Sequence, residues 1–322
     1  MDTNDFQKMR ASIQFEAEKR GVPMKTMFFL AIIIVAEGCS ERPSNPVAQT
    51  NKHETVSTKH IDLDKQKPPQ KSENDTRSAD SIRKQGLSHF QKGEYDKAIE
   101  AFTMAIQVDP QSAAYNNRAT CFIQKKDWAK AIRDLDKAIQ IKPGVSAMHG
   151  TRGLTYYYIG DFQKAIEDLS EAIQLDSNNS TAWNSRGLVH AKVGEIKEAI
   201  ADHTKAIQLR KDFPEAFCSR AFAYIWIGKG DKAIADGTEA IRLKPNYVEA
   251  YNVRGNAYLL MGENEKAIAD YTKASQLQPN CAAAYLLRGL AYRRLGEEEK
   301  AEADLTRAEE LGMSVEDLKN AQ

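Results

Sequence analysis

From about residue 79 onward, apolar and small residues recur in two rhythms: a helical spacing of three and four within short segments, and a longer period that repeats the segments themselves. The segments GEYDKAIEAFTMAIQVDP (93–110), KDWAKAIRDLDKAIQIKP (126–143) and GDFQKAIEDLSEAIQLDS (160–177) align without a gap, and four further copies start at residues 194, 228, 262 and 296. One alanine falls at Ala98, Ala131, Ala165, Ala199, Ala233, Ala267 and Ala301, a spacing of 33 once and of 34 five times. A period of this length marks an architecture in which each unit buries its apolar face only against its neighbours.

Each unit reads as two helices. In the first, packing positions fall at i, i+4 and i+7, as in Tyr251, Gly255 and Tyr258, which is one helical stripe. The middle position is always small (Gly86, Ala119, Gly153, Gly187, Ala221, Gly255, Gly289), so two helix backbones can approach closely. The second helix carries the alanine above. Four residues on comes a bulkier position (Phe102, Leu135, Leu169, His203, Gly237, Tyr271, Leu305), and then a second alanine, from Ala105 to Ala308. Glycine closes six of the first helices, where a left-handed residue is wanted, and Lys126 takes that place once. Pro110, Pro143, Pro245 and Pro279 stop second helices from running on.

These residues and their period resemble the tetratricopeptide repeat (TPR), over about 235 of the 322 residues. The resemblance implies an all-α fold, a right-handed α-solenoid of seven helix-turn-helix repeats at about 79–111, 112–145, 146–179, 180–213, 214–247, 248–281 and 282–315, with a short C-terminal cap. In the last unit the two isoleucine positions of the second helix become Glu302 and Glu309, the polar face expected of a terminal repeat.

Two charged rows run through the same units. Arg118, Arg152, Arg186, Arg220, Arg254 and Arg288 hold one first-helix position, and Asp134, Asp168, Asp202, Asp236, Asp270 and Asp304 one second-helix position. The first repeat lacks both, having Gln85 and Ala101. Joint presence and joint absence predict that they are partners, within a repeat or across neighbours.

The head of the chain is different. Residues 27–36 (MFFLAIIIVA) follow Met24-Lys25-Thr26, and ten helical residues reach only about 15 Å, half of a bilayer core. A basic start, a short apolar stretch and small residues after it describe a signal peptide, with Met24 as the expected start and residues 1–38 as upstream segment plus signal. Read from Met24, the segment resembles a bacterial lipoprotein signal, which implies lipidation at Cys39. Glu37 and Ala36 depart from that pattern, so cleavage to a soluble exported protein and an uncleaved anchor stay open. Residues 39–78 are polar and lack aromatics, which predicts a disordered tether of roughly 35 Å mean reach.

Lys+Arg and Asp+Glu both number 45, a balance that argues against nucleic acid as a partner. No phosphate-binding loop, His-Glu-x-x-His, paired Cys-x-x-Cys or nucleophile elbow occurs, and the six histidines do not cluster, so neither catalysis, cofactor nor metal is expected. Cys121, Cys218 and Cys281 read as small buried hydrophobes, and His89 and His190 as core residues.

Function then rests on binding. In the TPR family the first helices line a concave surface, and the resemblance places Asn116, Tyr158, Asn184, Lys192, Phe222, Trp226, Asn252, Asn256 and Arg294 on it. Aromatics flanked by asparagines suit a protein or extended peptide, with rings as anchors and amides on its backbone. The expected role is a non-catalytic scaffold of the cell envelope, lipid-anchored in the outer membrane facing the periplasm, or else soluble there. Membrane contact comes only through the N-terminal lipid or signal anchor. An accessory subunit presenting substrate to an enzyme on another chain, such as a glycosyl transferase, is the alternative.

Overall fold

The computed structural model describes residues 73–313, with side chains from Ser78 onward. Cys39, the signal segment and most of the expected tether lie outside the described residues. Every regular element among them is an α-helix. In the first three repeats these are α1 (Glu73–Gln91), α2 (Tyr95–Val108), α3 (Ser112–Gln124), α4 (Trp128–Ile141), α5 (Ser146–Ile159) and α6 (Phe162–Leu175). The next two repeats comprise α7 (Ser180–Lys192), α8 (Ile196–Leu209), α9 (Pro214–Trp226) and α10 (Gly230–Leu243). The last two comprise α11 (Val248–Leu260), α12 (Asn264–Leu277), α13 (Ala282–Arg294) and α14 (Glu298–Glu310). Odd and even helices are the first and second helices of the expected repeats. The first helix begins at Glu73, six residues ahead of the repeat start at Ala79, so the expected tether loses its last six residues to α1.

Two compact units divide the described residues, 73–189 and 190–313, the division falling inside α7. In the N-terminal unit each helix from α1 to α6 packs on the next. In the C-terminal unit the same holds from α8 to α14, and α9 also touches α11.

The turns follow from their cap residues. Gly93, Gly160, Gly194, Gly228, Gly262 and Gly296 all have φ between 70° and 87°, and Lys126 adopts φ 62° at the same place. Its α4 is then started by Asp127, whose carboxylate accepts from the Lys130 N–H at 3.3 Å; Asp161 does the same for Lys164 at 3.2 Å.

Small-against-large packing joins the two helices of a repeat. A Cβ added at Gly153 would lie 2.8 Å from the Leu169 side chain and 3.2 Å from the backbone of Ala165, and one at Gly255 2.7 Å from the Tyr271 ring. The seven alanines from Ala98 to Ala301 are fully buried, as are Phe102, Leu135, Leu169 and Tyr271. Burying each large side chain contributes about 1.5–3 kcal/mol.

The arginine and aspartate rows are partners within a repeat. Arg118 grips Asp134 with two bonds of 2.7 and 2.8 Å, and Arg254 grips Asp270 at 2.8 and 2.7 Å. Arg152–Asp168, Arg220–Asp236 and Arg288–Asp304 repeat this fork. The remaining guanidinium nitrogen reaches back one repeat: to Thr103 from Arg118, Ser170 from Arg186, Thr204 from Arg220, Thr238 from Arg254 and Thr272 from Arg288. Arg152 uses Asp136 there. Each of these arginines therefore ties its own repeat to the one before.

Candidate partner-binding surface

In the N-terminal unit the predicted surface residues are Asn116 on α3, Tyr158 on α5 and Asn184 on α7. Asn116 is half-buried, and its amide oxygen is buried with no hydrogen-bond partner among the described residues. At the matching position of the next repeat stands Gly150, where an added Cβ would meet only the Ala172 methyl, 3.9 Å away. Tyr158 is at the end of its helix and stacks on Trp128, the first residue of α4, with ring centres 5.2 Å apart and planes 20° apart. It therefore belongs to the helix-turn edge rather than to the middle of the first-helix face.

In the C-terminal unit Lys192, Phe222 and Trp226 are half-buried and Arg294 is exposed. Phe222 and Trp226 lie one helical turn apart on α9 and pack against Phe217, Ala221, Ile225 and Val253. Phe222 also reaches the cluster of Leu259, Leu286 and Leu290. Arg294 on α13 donates to the Leu259 carbonyl of α11 at 3.2 Å, and partial burial draws its guanidinium pKa down. Its cation is fixed across two first helices.

The three inner asparagines correct the sequence reading. Asn184, Asn252 and Asn256 were expected on the surface, yet they are 7%, 1% and 2% exposed. Neighbouring helices close over the last two. Tyr271, a residue long enough to cross from α12, donates its hydroxyl to the Asn256 oxygen at 2.6 Å. The Asn252 amide lies against Cys281 Sγ at 3.9 Å. What is left over is a buried acceptor, Asn252 Oδ1, and a buried donor, Asn256 Nδ2, neither with a partner among the described residues. The buried amides are out of a partner's reach, and in the C-terminal unit Phe222, Trp226 and Arg294 are groups a partner can touch.

The histidines also differ from expectation. His89 and His190 bond Glu94 and Glu195 at 2.5 and 2.6 Å, so both pair with the acid that follows their turn rather than lie in an apolar core. Of the buried His149 and His203, His203 is fully enclosed at the bulky second-helix position, and burial pulls its pKa down to about 3. Cys121, Cys218 and Cys281 are buried, free thiols; burial pushes Cys121 up to about 12, which leaves it no thiolate character at neutral pH. Among the described residues there is no group of three His, Cys, Asp or Glu placed to hold a metal, and no helix long and apolar enough to cross a membrane.

The family model described as the C-terminal domain of cilia and flagella-associated protein 70, a tetratricopeptide-repeat model, matches residues 46–253, more than half of the chain. The chain belongs to this family of tetratricopeptide-repeat domains. Two general TPR models continue the match over 255–296 and 282–311. Among curated proteins, the chain is 34% identical over 85 residues to heat shock protein STI1 of Saccharomyces cerevisiae, covering 26% of this chain and 14% of that one. It is 38% identical over 77 residues to the E3 ubiquitin-protein ligase CHIP of Arabidopsis thaliana, covering 24% of this chain and 28% of that one. The chain thus spans less than a third of either relative. Of solved structures, a TPR protein from Parabacteroides merdae superposes with a TM-score of 0.60 at 22% identity, over 76% of this chain and 97% of that one. The pilF protein of Pseudomonas aeruginosa gives 0.59 at 17%, over 70% and 100%. At those identities the two structures establish the TPR fold.

Proposed function

We infer that this TPR chain is a non-catalytic adaptor of the cell envelope that holds a protein or extended peptide against the first-helix face of its C-terminal unit. One observation carries the reading: Phe222 and Trp226 lie one turn apart on α9, and Arg294 is held on α13 by the Leu259 carbonyl, so one face presents two aromatic anchors and a fixed cation. Aromatic and arginine side chains are the commonest hot spots of interfaces. The envelope assignment draws on the segment from Met24 to Cys39, which resembles a lipoprotein signal.

The direct test is affinity capture with the full chain from its native envelope extract, comparing wild type with Trp226→Ala and Arg294→Ala. A partner held by wild type and lost from both variants supports the reading. Equal capture by all three refutes it.

A further inference from the structure

The helix-turn edge of the first three repeats carries a set of aromatic rings, of which Phe90, Tyr157 and Phe162 also pack on the repeat core. Trp128 and Tyr158 stack at 5.2 Å, Tyr157 meets Tyr158 edge-on at 5.6 Å and Phe162 at 6.1 Å, and Phe90 tilts onto Tyr95 at 5.6 Å. All six rings are half-buried, and Ile159 between them is 46% exposed.

The same edge holds surplus positive charge. Glu94, Asp96, Asp127 and Asp161 are each ion-paired, with Lys97, Lys125, Lys130 and Lys164 in turn. Lys92 and Lys126 are exposed, and neither has a carboxylate within ion-pair distance among the described residues. A shallow hollow of about 410 Å³ at this edge is lined by Gly93, Glu94, Tyr95, Asp96, Lys97 and Lys125, its two acids each paired with one of its lysines. Lys126 stands out again in its backbone: it is the one described non-glycine residue with positive φ, at a turn where every other repeat has glycine. Lys126 thus holds a cation one residue from Asp127 and two from the stacked Trp128, in a left-handed conformation that favours glycine.

We propose that this edge is a second binding surface, separate from the first-helix face of the C-terminal unit, and that its occupant is an acidic peptide bearing aromatic or large apolar side chains. The rings take the apolar side chains by stacking, and Lys92 and Lys126 meet the carboxylates at the rim, where charge sets the choice of partner and the rate of encounter.

The test uses the full chain and a fluorescein-labelled peptide of alternating glutamate and tryptophan. Controls carry lysine for glutamate or serine for tryptophan, and fluorescence anisotropy is the readout. The glutamate–tryptophan peptide binds, more weakly as salt rises, and both controls bind at least about tenfold less tightly. Trp128→Ala lowers affinity about tenfold or more, and Lys126→Gly about threefold. Lys126→Gly also raises the thermal midpoint, because glycine adopts the left-handed turn without strain, so its loss of affinity is not a loss of fold. The proposal is overturned by equal binding of the lysine peptide, by affinity unchanged by Lys126→Gly and Trp128→Ala, or by binding to phosphatidylserine vesicles without binding to the peptide. Loss of the peptide through Trp226→Ala alone also overturns it, by placing the peptide on the C-terminal unit, whereas Trp226→Ala leaving it bound says nothing against the adaptor reading above.

Discussion

Arg254 holds Asp270 by two parallel hydrogen bonds of 2.8 and 2.7 Å while its third nitrogen reaches Thr238 of the preceding repeat at 3.3 Å. The aspartate side chain is 7% exposed and the arginine 20%, so both charges are largely out of water. Burial raises the Asp270 pKa more than the arginine lowers it. The pair survives because the fork satisfies both partners.

Removing one partner therefore strands the other. Arg254→Ala or Asp270→Ala costs about 3–5 kcal/mol in urea unfolding, whereas Thr238→Val costs about 0.5–1.5 kcal/mol. A double-mutant cycle between Arg254 and Asp270 shows strong coupling. Zero coupling contradicts the ladder.

Two glycines on one helix make a sharper contrast. Gly153→Ala pushes a methyl to 2.8 Å from Leu169 and 3.2 Å from the Ala165 backbone, which cannot yield as a flexible side chain does. It destabilises by about 1–3 kcal/mol. Gly150→Ala has room, with its nearest neighbour at 3.9 Å, and gains about 0.5–1 kcal/mol from helix propensity. Thermal melts of the two variants should move in opposite directions.

Much of this architecture is legible from the residues alone. The repeat, its caps and its buried alanine rows are readable because a fixed period puts each position in one environment, and the joint loss of arginine and aspartate in the first repeat, where Gln85 and Ala101 stand, points to Arg–Asp pairing. The hydroxyl row of Thr103, Ser170, Thr204, Thr238 and Thr272 was equally visible and was missed, because its partner is a repeat away. Accessibility was not legible. Whether Asn256 faces solvent depends on the length of Tyr271, and where Tyr158 lies depends on how Trp128 of the preceding repeat meets it. Lys126 was recognised as an exception, but only its φ of 62° shows that it takes the glycine conformation instead of avoiding it.

His203 gives the fold a pH dependence. Its ordinary pKa is 6.5 and burial draws the folded-state value to about 3, so between these values the unfolded chain binds a proton that the folded chain refuses. Stability is intact above pH 6.5 and falls as the pH drops toward 3, by about 2 kcal/mol at pH 5. His203→Leu, the residue type at the matching Leu169, removes this share of the acid sensitivity. Parallel urea titrations at pH 7.5 and pH 5 measure it.

Export rests on Cys39, which lies outside the described residues. Expressed from Met24 in a bacterium that processes lipoproteins, the chain should partition with membranes and lose that property on Cys39→Ala. By resemblance, Ser40 in place of an aspartate after the cysteine makes the outer membrane the expected destination. An unmodified Cys39 or an intact Met1 terminus by mass spectrometry contradicts this.

The central claim is that the C-terminal unit binds its partner through α9 and α13. Once a partner is captured, calorimetric titration of the wild type, Trp226→Ala, Arg294→Ala and the exposed second-helix control Lys205→Ala measures it directly. Trp226→Ala costs about 2 kcal/mol or more, at least a twentyfold loss of affinity, Arg294→Ala weakens binding in the same direction, and Lys205→Ala changes little. Unchanged affinity in the Trp226 and Arg294 variants, with binding abolished by Lys205→Ala, places the partner on the opposite face and contradicts the account.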